Sequence, residues 1–288
     1  MLPDFDLIQP RTVDEALAAL NDGAQPLAGG TNLLVDLRAR RTKPKRLVSL
    51  AGLDALRGIS RADGRVVVGA LTTVDDLLRD PVIAEEAPAL VASARVFAGA
   101  MVRNMATLAG NLCFGSPAAD LAPPLLALDA QVVLRGPQGE RTLPLAEFGL
   151  APRATARAAD ELLTHVHWPQ RPPGSAHLFR KVGLRKGDAI SVVTVAVLLA
   201  AEGGKCNEVR IALGAVAPAV MRAPRAEAVL RGRTPGDESF AEVGRLAAEA
   251  CNPIDDIRAS AAYRRHVVAV ATRRLAREAW AEISQGRP

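Results

Sequence analysis

Residues 102–129 read VRNMATLAGNLCFGSPAADLAPPLLALD, the densest segment of the chain. Thr107-Leu108-Ala109-Gly110-Asn111 is a small-residue turn flanked by polar side chains. A residue without a Cβ lets backbone N–H groups come within bonding range of an anion, and Thr107 and Asn111 add side-chain donors. Asp120 follows Ser116-Pro117-Ala118-Ala119 and precedes Leu121-Ala122-Pro123-Pro124. An acid among small and apolar neighbours points to partial burial, where a carboxylate must find donors. The plainer role is a cap on a helix that starts at Leu121. Cys113 reads as a small core residue.

Upstream, a second site of the same kind lies at Gly29-Gly30-Thr31-Asn32. Residues 25–28 read as a short strand that breaks at the paired glycines and enters a helix at Leu33-Leu34-Val35. Thr12, with Glu15 three positions on, predicts a capping box before a helical stripe over 12–20, which Asn21-Asp22-Gly23 stops. Residues 47–50 (LVSL) read as another short strand, so the first ~50 residues form a βαβ-type unit. Taken alone, each glycine site reads first as a tight turn. Two in one chain strengthen the case for a pyrophosphate, which has two charged groups to hold.

Beyond residue 56 the pattern changes. Ile59-Ser60 and Val66-Val67-Val68 flank Ala62-Asp63-Gly64, a hairpin signal. Thr72 and Thr73 can cap a helix over 74–79 that Pro81 ends, and residues 82–98 read as helical from their Ala-rich spacing. The strand at 131–134 and the turn at 136–139 predict a second hairpin. Gln170-Arg171-Pro172-Pro173-Gly174 is the best linker, since back-to-back prolines disfavour helix and ladder alike. Strand-like runs follow at 177–182, 190–201 and 208–216, then two or three helices between 224 and 284. Strands first and helices after is the α+β arrangement. Lys181, read on its own, is a solvated surface charge.

Of the 288 residues 49% are hydrophobic, enough for a buried core, but only 3% are aromatic, so Ala, Val and Leu must fill it. The longest apolar stretch, 190–201, is interrupted by Ser191 and Thr194 and falls short of the ~18–20 residues of a membrane span. The opening MLPDFDLIQP carries two acids and no basic region, unlike a signal peptide. Three widely spaced cysteines, with no CxxC, make no disulfide framework, zinc knuckle or iron–sulfur motif. These features predict a soluble, cytoplasmic protein. The net charge of +5 gathers at Arg38–Arg46 and at Arg258, Arg264, Arg265, Arg273, Arg274 and Arg277. Neither cluster is interleaved with stacking aromatics, so nucleic acid is not an expected partner. There is no GxGxxG, P-loop, GxSxG or HExxH. His165 and His167 alternate in an apparent strand and share one face, but nothing nearby completes a metal site.

Together these strings resemble the FAD-binding medium subunits of the molybdenum hydroxylases, the xanthine dehydrogenase and carbon monoxide dehydrogenase family. The resemblance runs the full length. It rests on Pro3–Asp6, a slight departure from PxxF, on PLAGGTNLL at 26–34 and on LVSLAGLDALRGI at 47–59. It rests most on residues 102–130, close to a pattern of IRN, T-[IL]-G-G-N and SPAAD, and on FRKVGLRKGDAISVV at 179–193. It implies an α+β chain: a two-subdomain FAD-binding domain of the vanillyl-alcohol-oxidase (PCMH) type, over 1–55 and 56–172. A small C-terminal domain, 173–288, with an antiparallel sheet and helices would follow. The family's first glycine loop, which carries the FAD pyrophosphate, maps onto Ala28, Gly29, Gly30, Thr31 and Asn32, with Leu33 beside them. The second maps onto Thr107, Gly110 and Asn111, the flavin-contacting aspartate onto Asp120, the FAD-contacting lysine onto Lys181 and a backbone-contacting leucine onto Leu162. Two departures matter. Ala109 replaces a usual glycine, and its methyl obstructs one close backbone approach. Asn111-Leu112-Cys113 runs on to Ser116 without the cysteine-bearing insertion of 4-hydroxybenzoyl-CoA reductase, so no metal site is expected here.

The implied role is electron transfer. A large molybdopterin-binding subunit would hydroxylate the substrate and a small subunit with two 2Fe–2S clusters would relay electrons singly to FAD, in a dimer of heterotrimers. The chain would bind, orient and tune the flavin, with no acid–base catalyst of its own. The alternative is a self-contained FAD-dependent oxidoreductase of the same fold. That needs its own substrate pocket with aromatic and acid–base residues, against which stand one tyrosine, Tyr263, and four histidines. A basic scaffold that binds no flavin is the non-enzyme alternative.

Overall fold

The computed structural model describes residues 2–185 and 187–285; Met1, Lys186 of the 179–193 motif and residues 286–288 lie outside them. The first unit is a parallel sheet of order β1-β3-β2, from β1 (Asp6–Ile8), β2 (Gln25–Leu27) and β3 (Arg46–Ser49). Parallel neighbours need crossovers, which are α1 (Val13–Asn21) and α2 (Leu33–Arg38). The Thr12 hydroxyl accepts the Glu15 N–H at 3.1 Å as predicted, but the Glu15 carboxylate accepts from Arg11 N–H at 2.7 Å instead of closing the box on Thr12. Strand β1 was not predicted. Its three residues show no apolar alternation, and only pairing with β3 makes it a strand.

The second unit is an antiparallel sheet of order β4-β5-β10-β6-β7. Its strands are β4 (Ile59–Ala62), β5 (Arg65–Gly69), β6 (Gln131–Gly136), β7 (Gly139–Pro144) and β10 (Leu162–Pro169). Both hairpins form where the turn signals predict them. Six helices connect β5 to β6: α3 (Val74–Arg79), α4 (Pro81–Glu86), α5 (Pro88–Arg95), α6 (Ala100–Arg103), α7 (Leu108–Cys113) and α8 (Ala122–Ala127). The helical stretch expected over 82–98 is built as two helices, α4 and α5. Pro88 has no N–H to continue α4 and instead occupies the first turn of α5. Pro81 likewise starts α4 as well as ending α3, with the Asp80 carboxylate accepting the Ile83 N–H at 3.0 Å. After β7, α9 (Leu145–Phe148) leads into a small hairpin, β8 (Gly149–Ala151) and β9 (Ala154–Thr155).

The third unit is an antiparallel sheet in sequential order, β11 (Ala176–Gly183), β12 (Ser191–Glu202), β13 (Lys205–Gly214) and β14 (Met221–Arg222). Helices α10 (Pro224–Leu230), α11 (Asp237–Ala250) and α12 (Ala261–Ser284) follow. Strand β12 is buried on both faces, which is why it reads as a near-continuous apolar run. Val193, Val195, Val197 and Leu199 join a core with Phe240, Val243, Val268 and Leu275 of the helices. Ala196 and Leu198 join the other core, which brings Leu17 and Val48 of the first unit together with Val66, Leu121, Leu125 and Trp168 of the second. The architecture is α+β. Among the described residues no helix is long and apolar enough to cross a membrane.

Candidate functional site

A cleft of about 520 Å³ opens between the first unit and the helical insertion of the second. That is the range of small-molecule and cofactor sites. Ten of the twelve candidate residues line it: Ala28, Gly29, Gly30, Thr31, Asn32 and Leu33 on one side, Thr107, Gly110 and Asn111 on the other, and Leu162 at the start of β10. Phe97, Cys113, Phe114, Asp36, Arg153 and Arg157 line it as well and were not predicted.

The two glycine segments meet. A Cβ on Gly29 would lie 1.6 Å from the Met105 carbonyl oxygen, so only glycine lets the first loop rest on the backbone just before α7. Gly30 has φ +71°, the left-handed region that favours glycine. Their hydrogen-bonding states differ. In the first loop the Gly30 and Asn32 carbonyls accept from Leu34 and Asp36 N–H, both at 3.0 Å. The N–H groups of Gly29 to Leu33 donate to no other group among the described residues. A run of free backbone donors at a glycine turn is an anion cradle. In the second segment the donors are already committed. Leu108 N–H goes to Thr72 O, Ala109 N–H to Ala70 O and Asn111 N–H to Thr107 O, each at 3.0 Å, and Gly110 N–H goes to the Thr107 hydroxyl at 3.1 Å. What this wall offers is the Asn111 side chain, whose Oδ1 is buried with no partner. The Ala109 methyl therefore displaces no free amide.

Asp120 and Lys181 do not line the cleft; they bond to each other. Lys181 Nζ donates to Asp120 Oδ2 at 2.6 Å and to the Val96 carbonyl at 3.2 Å, and the Ser191 hydroxyl donates to Asp120 Oδ1 at 2.5 Å. Both side chains are 9% exposed. Burial pushes the Asp120 carboxyl up from its ordinary value, and the Lys181 ammonium and Ser191 hydroxyl pull against it. Asp120 is thus no cap for α8, and Lys181 is no surface charge. The fold lays β11 and β12 against the 116–121 segment, and the pair fixes the residue next to Phe97.

Among the unpredicted residues, burial pushes the Cys113 thiol up to about 11, against the opposing charge of Arg157. Asp36 is buried and takes Arg41 on Oδ1 at 3.1 Å and Arg153 on Oδ2. Arg153, first, and Arg41 hold its carboxyl below the usual range despite burial. No local pattern singles these residues out, because their partners lie up to 117 positions away.

The description "FAD binding domain in molybdopterin dehydrogenase" matches residues 3–171, and "CO dehydrogenase flavoprotein C-terminal domain" matches residues 177–279. The chain is 33% identical over 267 residues to the putative xanthine dehydrogenase FAD-binding subunit XdhB of Escherichia coli (strain K12), covering 91% of each. It is 30% identical over 285 residues to the carbon monoxide dehydrogenase medium chain of Hydrogenophaga pseudoflava, covering 98% of this chain and 99% of that one. A solved carbon monoxide dehydrogenase from the same organism, lacking the Mo-pyranopterin moiety of its molybdenum cofactor, superposes with a TM-score of 0.95 at 32% identity. That match covers 98% of this chain and 99% of that chain. A likeness over both domains, end to end, assigns the chain to the FAD-binding medium subunits of the xanthine dehydrogenase and carbon monoxide dehydrogenase family of molybdenum hydroxylases.

Proposed function

We propose that this chain is the electron-transfer subunit of a molybdenum-containing hydroxylase. It takes electrons from the 2Fe–2S clusters of a small partner subunit and passes them to an external acceptor. A large molybdopterin-binding subunit completes a cytoplasmic dimer of heterotrimers, with no role for nucleic acid. FAD supplies the redox chemistry, accepting electrons one at a time and releasing them in pairs. The observation that carries this reading is the row of free amides from Gly29 to Leu33 beside a buried, unpartnered Asn111 oxygen. The residues present fit the cofactor. The amides would hold the pyrophosphate, Asn111 would accept from a hydroxyl or ring N–H, and Leu162 with the wall of Thr107 and Gly110 would set the depth of insertion. Asp120 and Lys181 would act from behind, by fixing Val96 and its neighbour Phe97. The cleft's one carboxylate is already ion-paired, and no histidine or tyrosine lines it among the described residues, so the side chains bind and orient.

The test is a titration of the purified full chain with FAD, with FMN as control, following quenching of flavin fluorescence. Tight quenching by FAD and little by FMN is expected, since FMN lacks the pyrophosphate, and Asn111→Ala should weaken it. No quenching by either flavin, from a protein shown to be folded, refutes the reading. The self-contained oxidoreductase is separated by co-purification: it would turn over substrate without larger subunits attached.

A further inference from the structure

We propose that Arg153 is a strap across the mouth of the cleft, reaching from the β8–β9 hairpin to Asp36 of α2 and setting how slowly a bound FAD leaves. The proposal rests on the FAD reading above and concerns residues outside both glycine segments. Arg153 and Asp36 line the same cleft from different units, so their ion pair spans it.

Three contacts hold the strap in position. The Asp36 carboxylate, 6% exposed, is the fixed end, with Arg41 on its other oxygen. The Arg153 guanidinium lies 4.7 Å over the Phe114 ring, immediately after α7, a cation–π distance. The hairpin backbone is pinned at its root. Arg153 N–H donates to the Gly115 carbonyl at 2.8 Å, and a Cβ at Gly115 would sit 3.0–3.1 Å from the Arg153 and Ala154 backbone. Arg153 itself has φ +65°, a conformation that side-chain-bearing residues keep only where the surroundings over-determine it. With the backbone pinned, the freedom to open belongs to the side chain, which is 51% exposed.

Charge makes the same residues relevant to the cofactor. Asp36 stands one helical turn beyond the free amides, and its N–H bonds the Asn32 carbonyl. An uncompensated carboxylate there would oppose a pyrophosphate on the same loop. Arg153 shares with Arg41 the neutralisation of the acid and also bridges the walls. Removing it leaves the entrance open and more negative, and both changes hasten release.

The experiment uses the full chain loaded with FAD. Release is followed as recovery of flavin fluorescence on dilution, and apoprotein melting is measured alongside. Arg153→Ala should speed release at least tenfold with little change in melting of the apoprotein. Arg153→Lys keeps the charge but loses the planar ring contact, and should fall between Ala and wild type. Because Arg153 acts through Asp36, Arg153→Ala combined with Asp36→Asn should release FAD no faster than the faster single variant. Wild-type release rates in Arg153→Ala, or rate effects that multiply in the double variant, overturn the strap. Lower apoprotein melting that fully accounts for faster release in both Ala and Lys variants also overturns it, since the role is then structural. A folded wild type that takes up no FAD overturns instead the flavin reading on which the strap depends.

Discussion

Gly29→Ala is the smallest change that separates the two glycine segments. The new Cβ would lie 1.6 Å from the Met105 carbonyl oxygen, 2.5 Å from its carbon and 3.2 Å from the Ala106 nitrogen. All three are backbone atoms, so no side chain can swing aside. To reach the 3.4 Å of ordinary contact the first loop must retreat by about 1.8 Å, the difference between those two distances. An N–H···O bond near 2.9 Å does not survive such a displacement. If two amide bonds to a pyrophosphate are lost, at about 1.5–3 kcal/mol each for a charged acceptor, the cost is about 3–6 kcal/mol. That corresponds to FAD binding about 10²- to 10⁴-fold weaker. The overpacking itself should lower fold stability by only about 1–3 kcal/mol. The assay is fluorescence titration with FAD beside a denaturant melt of the apoprotein. Gly52→Ala is the control, since its Cβ would meet only the Pro10 carbonyl at 3.9 Å. It should leave affinity unchanged. FAD affinity within about threefold of wild type in a folded Gly29→Ala protein, less than ~1 kcal/mol, would refute the argument that contact between the loops sets the cradle.

Lys181→Met strands the buried Asp120 carboxylate and should cost about 3–5 kcal/mol, while Lys181→Met with Asp120→Asn should recover most of it. Urea titration checks this, and a single-variant cost below ~1 kcal/mol rejects a buried pair. His177 is fully buried, and burial, reinforced by the charge of Arg171, brings its pKa down to about 3. The folded value lies below the unfolded one, so the unfolded chain takes the proton first. The stabilisation is complete above the ordinary value of 6.5 and is lost as pH falls toward 3, by up to about 1.4 kcal/mol per pH unit. His177→Phe should flatten stability against pH in that window, and an unchanged slope counts against it. Burial pushes Cys113 and Cys206 up to about 11 and Cys251 up to about 12. At pH 8 the native protein should react slowly with a thiol reagent and expose three thiols on denaturation. Rapid native labelling of Cys113, part-buried on the cleft wall, contradicts its raised thiol pKa.

Much of the fold is legible in local pattern. Asp63-Gly64 and residues 136–139 turn their hairpins, Thr12 and Thr73 cap their helices, and the prolines at 172–173 fall between β10 and β11. The break within 82–98 is also written in the chain, in Pro88, which has no N–H to continue α4. In the site, the glycine segments and Asn111 stand out because glycine and small polar residues at a turn announce themselves within five positions. Each such signal acts through neighbours in sequence, and so survives without the fold.

Local pattern therefore supplies an inventory: two glycine turns, an acid among small residues, three runs of strand and a helical tail. The use of each comes from long-range packing. Gly29 is required by Met105, 76 positions on. Asp120 finds Lys181 across 61 residues, and Arg153 finds Asp36 across 117. The Ala70 and Thr72 carbonyls, brought alongside by β5 and its turn, take the amides of the second segment and leave those of the first free. The difference is one of range. Turn chemistry and periodicity are properties of adjacent residues, whereas the partner of a buried charge, or of a backbone amide, is chosen by chain topology.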